Sequence, residues 1–151
     1  MTLTVATIPT QLARQQIAAM RGKARASLIL AVDDIRRRGC AGAGVRLAGQ
    51  ELSAICRLDL YGPWRLLTVF EAPDRCILLL VVEHTRTANP YKLLYEALHI
   101  GEPEEPRTKP PCCDPHGQPS VDPELAGRFE EGLRQLTPRT GVPRKRSRKR
   151  R

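Results

Sequence analysis

The stretch Arg75-Cys76-Ile77-Leu78-Leu79-Leu80-Val81-Val82-Glu83 sets the frame for the rest of the chain. Two charged residues bracket seven apolar ones, and the apolar run shows no alternation. A strand with one wet face would alternate with period two, so an unbroken run implies cover on both faces. The segment is therefore expected to be a central strand, backed by the helices that precede it. Seven residues are also too few to cross a bilayer, and no longer apolar run exists in the chain.

Working outward, two turns mark the strands on the N-terminal side. Ala72-Pro73-Asp74 separates the central strand from residues 64–71, and Tyr61-Gly62-Pro63 separates those from residues 52–60. In the latter run Ala54, Cys56, Leu58 and Leu60 fall on one face, and Ile55, Arg57 and Asp59 on the other. The three runs read as an antiparallel meander.

Before them lies helical sequence. Leu3 and Val5 alternate with threonines in a short strand over residues 2–8, Pro9 ends it, and Thr10 is placed as an N-cap. Leu12, Ile17, Met20, Ala24, Leu28, Ala31 and Ile35 then recur at helical spacing as one apolar stripe. Gly22 interrupts it, which predicts a hairpin of two helices over residues 10–20 and 23–38. Arg36, Arg37 and Arg38 complement the dipole of the last turn, and Gly39 supplies a left-handed cap.

After Pro90, residues 91–98 read as a short helix. Five prolines from Pro103 to Pro115 mark residues 101–121 as a linker. Asp122-Pro123-Glu124 resembles a helix start, and Leu125, Phe129, Leu133 and Leu136 form one stripe, so a short helix is expected over residues 122–137. Residues 138–151 are expected to be a disordered basic tail. The fold class is thus α+β: an N-terminal strand and helix hairpin packed on a small antiparallel sheet within residues 1–100, then the linker, the short helix and the tail.

Composition narrows the function classes. The chain has 151 residues, 41% of them apolar, and its Phe, Trp and Tyr together number six, so the core must be aliphatic. The formal charge of +9 is concentrated at one end. Arg144, Lys145, Arg146, Arg148, Lys149, Arg150 and Arg151 place seven cations in the last eight residues, and the remainder carries only +2. Such a tail favours any polyanion by releasing counterions, without reading sequence. Its plain alternative is a solubilising terminus.

Five cysteines at irregular spacing argue against a disulfide framework and for a reducing cytoplasm. The N-terminus shows no export pattern, and no membrane association is expected. Cys40, Cys56 and Cys76 read as small core residues. Cys112, Cys113 and His116 invite a metal reading, but adjacent cysteines chelate one ion poorly and no second pair completes a site. No metal and no cofactor are expected.

The order of strand, helix hairpin and antiparallel strands resembles the RelE/ParE toxins of toxin–antitoxin systems. The segments carrying the resemblance are Arg46-Leu47-Ala48-Gly49, Ile55-Cys56-Arg57-Leu58, Trp64-Arg65-Leu66-Leu67 and Val82-Glu83-His84-Thr85-Arg86. It covers residues 1–98, and it implies a cognate antitoxin protein as partner. Ribonuclease members cut mRNA at the ribosome without a metal, which here implies a toxin-like endoribonuclease, an mRNA interferase. That chemistry asks for cations at the scissile phosphate, a proton carrier and a stacking ring. Arg65, His84, Arg86 and Tyr91 are the candidate catalytic residues, with Arg57 as a candidate nucleic-acid contact, and the tail cations, on charge alone, are candidates to bind RNA, ribosome or DNA.

Each has a plainer alternative. Arg57 can pair with Asp59 or Glu71, His84 can be a solvated strand-end histidine, and Tyr91 can pack its ring on the sheet. Asp59 also lies on the face that nuclease members reserve for cations, where it repels phosphate. The gyrase-inhibiting branch of the superfamily shows similarly weak conformity. The alternative function is accordingly a non-enzymatic module of the same fold that binds nucleic acid or inhibits a DNA-handling enzyme.

Overall fold

A computed structural model of the chain describes residues 4–47, 52–85, 91–101 and 110–141, the last segment with side chains up to residue 136. The elements are β1 (Ala6–Pro9), α1 (Gln11–Ala19), α2 (Gly22–Arg38), a 3-10 turn (Gly39–Gly42), β2 (Val45–Arg46), β3 (Ile55–Asp59), β4 (Trp64–Ala72), β5 (Arg75–Glu83), α3 (Lys92–Leu98) and α4 (Leu125–Gly141). One sheet orders the strands β1-β5-β4-β3-β2. The architecture is α+β, as the sequence pattern implies. The sheet is mixed, however, because β1 joins β5 in parallel while every other pairing is antiparallel.

β5 is buried on both faces along residues 76–82. The helix hairpin covers one face, where Leu28 and Ile35 pack with Leu66, Phe70, Cys76, Leu78 and Val81. On the other, Leu94, Ala97, Leu98, Leu125, Ala126 and Phe129 pack with Leu67, Val69, Ile77, Leu79, Leu80 and Val82. The hairpin was expected; the second cover of α3 and α4 supplies the far face that an unalternating run requires.

Leu79 and Leu80 are consecutive yet share a face. A register shift explains this: Leu67 faces Leu80 and Thr68 faces Leu78, so Leu79 is the extra residue of a β-bulge. β1 ends at Pro9, leaving the far half of β5 without a strand neighbour on that side. Side chains take over. The Thr10 hydroxyl donates to the Leu79 carbonyl (2.6 Å) and accepts from the Ala13 N–H (3.1 Å), so one residue caps α1 and serves the bulge. The Gln16 amide accepts from the Val81 N–H (2.7 Å) and donates to the Val81 carbonyl (2.9 Å), doing the work of a neighbouring strand.

The helix limits follow local chemistry. Gly22 and Gly39 adopt positive φ (63° and 64°), breaking the hairpin and ending α2. Asp122 Oδ1 accepts from the N–H groups of Glu124 and Leu125 (both 3.0 Å), capping α4 as expected. β3 starts three residues later than the apolar pattern suggests, because residues 52–54 turn. The two-residue β2 escaped sequence reading, being below the length that shows a period.

The cysteines require a correction. Cys40 is bonded to Cys113 (Cα–Cα 5.3 Å) and Cys56 to Cys112 (5.7 Å), leaving Cys76 as the free thiol. The argument from irregular spacing to a reducing compartment therefore falls, since disulfides persist in oxidising ones. Burial pushes the Cys76 thiol up to about 12, so it behaves as a small core side chain. Residues 110–121, the second half of the proline-rich stretch, are fastened by these bonds to β3 and to the 3-10 turn after α2. The expected tail cations 144–151 lie outside the described residues. Among the described residues no helix is long and apolar enough to cross a membrane.

Two outcomes are expected. Gln16→Ala strands both main-chain groups of buried Val81 and should cost about 1–3 kcal/mol in urea unfolding, with Gln16→Glu, which keeps the acceptor, falling between. At the end of α2, the hydrogen bond from Arg38 to Asp34 holds that carboxyl below its ordinary value, against the opposing effect of burial. A lowered folded value means stability present above the unfolded carboxylate range and lost as acid titrates Asp34. Urea midpoints should separate wild type from Asp34→Asn fully at neutral pH and progressively less below about pH 4.

Candidate functional site

The β3–β4 corner gathers the charged residues of the meander. Asp59 is directly opposite Arg65, and Arg57 is opposite Leu67, so Arg57, Asp59 and Arg65 share the face with Ile55 and Leu67. The tight turn after Leu60 makes this possible: Gly62 has φ 62°, and the Leu60 N–H donates to the Trp64 carbonyl (2.9 Å).

Both guanidinium groups converge on one oxygen. Arg65 Nε is 3.0 Å and Arg57 Nε 3.2 Å from Asp59 Oδ1. The Arg57 Nε is buried and at ion-pair distance, but its N–H is not aligned for a hydrogen bond. Arg65 is further occupied, its Nη1 donating to the carbonyls of Gly62 (2.8 Å) and Trp64 (2.9 Å). The arginine side chains are 18% and 19% exposed and the Asp59 side chain 57%. Two largely buried cations are thus held by a carboxylate that faces water.

The remaining candidates are distributed unevenly. His84 is exposed just beyond β5, and its N–H donates to the Pro63 carbonyl (2.7 Å). Val82, two residues earlier, is opposite Arg65, so His84 and Arg65 mark the same end of the sheet. Tyr91 precedes α3 and packs, half-buried, with the cluster beneath α3 and α4; its ring centre is 6.4 Å from that of Tyr95, with planes inclined at 52°. Arg86 and the tail cations lie outside the described residues.

Chemically, the corner is a small anion site already filled from within the chain. The convergence of Arg57 and Arg65 has the layout a phosphate oxygen needs. Asp59 occupies that place. Among the described residues no group of three or more His, Cys, Asp or Glu is placed to hold a metal ion, and Cys112 and Cys113 are engaged in disulfides. Sequence reading missed Arg46, whose Nε is buried without a hydrogen-bond partner and whose Nη2 donates to the Cys112 carbonyl (3.4 Å). Its basic residue type was visible, but its surroundings depend on a segment more than sixty residues away.

No family model matches the sequence, and no curated protein does. Among solved structures, the chain is similar to the toxin–antitoxin complex RelBE2 from Mycobacterium tuberculosis, with 18% identity and a TM-score of 0.39 over 55% of this chain and 100% of that one.

Asp59 faces water but both guanidinium groups are largely buried, so Asp59→Ala leaves two close cations without their counter-charge and should lower the unfolding free energy by more than the roughly 1 kcal/mol of an exposed pair. It should also uncover Arg57 and Arg65. Fluorescence anisotropy with a short single-stranded RNA at low salt should then show tighter binding than wild type, and this gain should vanish in Asp59→Ala/Arg65→Ala.

Proposed function

We propose that the chain is a non-enzymatic, toxin-like module of the RelE/ParE type, which acts by binding nucleic acid rather than by cutting it. The observation that carries this reading is the carboxylate of Asp59 between Arg57 and Arg65. A ribonuclease of this kind must bring free cations to the scissile phosphate and stabilise charge that develops in the transition state. Here both cations converge on Asp59, which offsets one of their two charges, and Arg65 spends another donor on two carbonyls of its own turn. The Tyr91 ring is packed with the core of α3 and α4 rather than standing free for a base.

Binding on this reading comes from the C-terminal run of Arg144, Lys145, Arg146, Arg148, Lys149, Arg150 and Arg151. Neither this run nor the preceding residues 137–143 hold an aromatic residue, so affinity is electrostatic and tolerant of sequence. A cognate antitoxin protein is the partner that the family resemblance implies. The convergence of Arg57 and Arg65 favours a second reading, metal-independent endoribonuclease action on mRNA at the ribosome. It requires the RNA phosphate to displace Asp59, with His84, Arg86 and Tyr91 taking the roles that the family resemblance implies.

The two readings separate in one set of measurements. Full-length protein should bind RNA and DNA of unrelated sequence alike, and deleting residues 144–151 should reduce the salt slope on duplex DNA by up to about six units. Incubation with RNA or with translating ribosomes should leave the RNA intact. Cleavage that disappears in Arg65→Ala would establish the ribonuclease reading instead.

A further inference from the structure

Cys112 and Cys113 are neighbours in sequence, yet they are bonded to different parts of the body. Cys113 joins Cys40 in the 3-10 turn after α2, and Cys112 joins Cys56 in β3. Beside these bonds, residues 110–112 run along the outer edge of β2. The Arg46 N–H donates to the Pro110 carbonyl (2.8 Å), the Cys112 N–H donates to the Gly44 carbonyl (2.8 Å), and Val45 faces Pro111 in an antiparallel bridge. β2 would otherwise present unpaired main-chain groups at the sheet edge. The two disulfides fasten a cover over it.

The two bonds differ in access. Cys40, Cys56 and Cys112 are buried, whereas Cys113 is half-exposed and begins a loop through Asp114, His116 and Gly117. Around the inner bond sits a donor with nothing to bind: Arg46 is paired with Cys56 in the β2–β3 register, donates from Nη2 to the Cys112 carbonyl, and keeps a buried Nε without a hydrogen-bond partner. A buried, unsatisfied donor is costly in the oxidised protein. A nearby thiolate would satisfy it, because a guanidinium favours the ionised form of a cysteine.

We infer that the Cys112–Cys113 pair is a two-stage, thiol-reducible latch on the β2 edge, opened first at Cys40–Cys113 and then at Cys56–Cys112, with Arg46 stabilising the reduced inner pair. In the first stage a small-molecule thiolate attacks Cys113 Sγ, forms a mixed disulfide and expels the Cys40 thiolate, which takes up a proton. A second thiolate attacks the small-molecule sulfur of that mixed disulfide, forming the oxidised dimer and releasing Cys113 as the thiol. Two electrons are transferred and two small-molecule thiols are consumed. The same exchange at Cys56–Cys112 consumes two more. With both bonds open, residues 110–112 no longer have covalent attachment to the edge they cover.

The test uses the full chain, purified under oxidising conditions and equilibrated across a series of glutathione redox buffers. Acid quenching, alkylation under denaturing conditions and peptide mass mapping then identify which cysteines are free. Cys40 and Cys113 should be labelled at milder reduction than Cys56 and Cys112. Amide hydrogen exchange at Arg46 and Cys112 should accelerate on full reduction, while the β4–β5 amides stay protected. Arg46→Gln should move the second stage to more reducing buffer and leave the first unchanged. If that variant does not fold, Cys40→Ser/Cys113→Ser should retain the inner bond and the slow exchange at Cys112. Both bonds opening together, absence of the bonds in oxidised protein, or undiminished protection at Arg46 and Cys112 after full reduction would each overturn the inference.

Discussion

β5 imposes two demands that the rest of the molecule meets. Its side chains from Cys76 to Val82 must leave water on both faces, and its main chain must find partners along both edges. Helices on either side meet the first demand. The second is met by β4 along one edge and by β1 on the other, until β1 stops and Thr10 and Gln16 continue the ladder with side-chain atoms. An apolar strand fixes the layers, and its polar backbone fixes where α1 docks.

The Asp59 corner shows how a few polar groups can decide what a sheet face does. Two arginines brought together in a low-dielectric setting repel each other and attract any anion. A carboxylate from the adjacent position on β3 neutralises one of those charges and leaves the pair locally at +1. Solvent reaches the carboxylate more than the guanidinium groups, so Asp59 is the counter-charge that lets two largely buried cations sit side by side. The side chain that makes the corner orderly also makes it unreceptive.

Much of the frame was legible in local sequence. Thr10, Gly22, Gly39 and Asp122 act by rules confined to a few residues, and each acts as its position implies. The unbroken run in β5 announced two covered faces. Other features depend on distant partners and left no local trace. The bulge at Leu79 is set by the register with β4, and the parallel seat of β1 by the place its connection leaves it. Cysteine spacing carries no connectivity, so the bonds from Cys112 and Cys113 were invisible, as was the environment of Arg46. At the candidate corner, residue types and faces were readable in Arg57, Asp59 and Arg65. Which of two partners would hold Arg57 was settled only by the cross-strand register.

Gln16 and Val81 are 65 positions apart, and Thr10 and Leu79 are 69 apart. Contacts of that span close long loops, whereas the β3–β4–β5 meander is joined by short turns and loses much less chain entropy on forming. The order of assembly follows from that asymmetry. The meander and the two-helix hairpin can each take shape from nearby residues, and the parallel seating of β1 with its side-chain continuation is the late event that unites them. During synthesis β1 emerges before β5 and so has no sheet partner until β5 has left the ribosome.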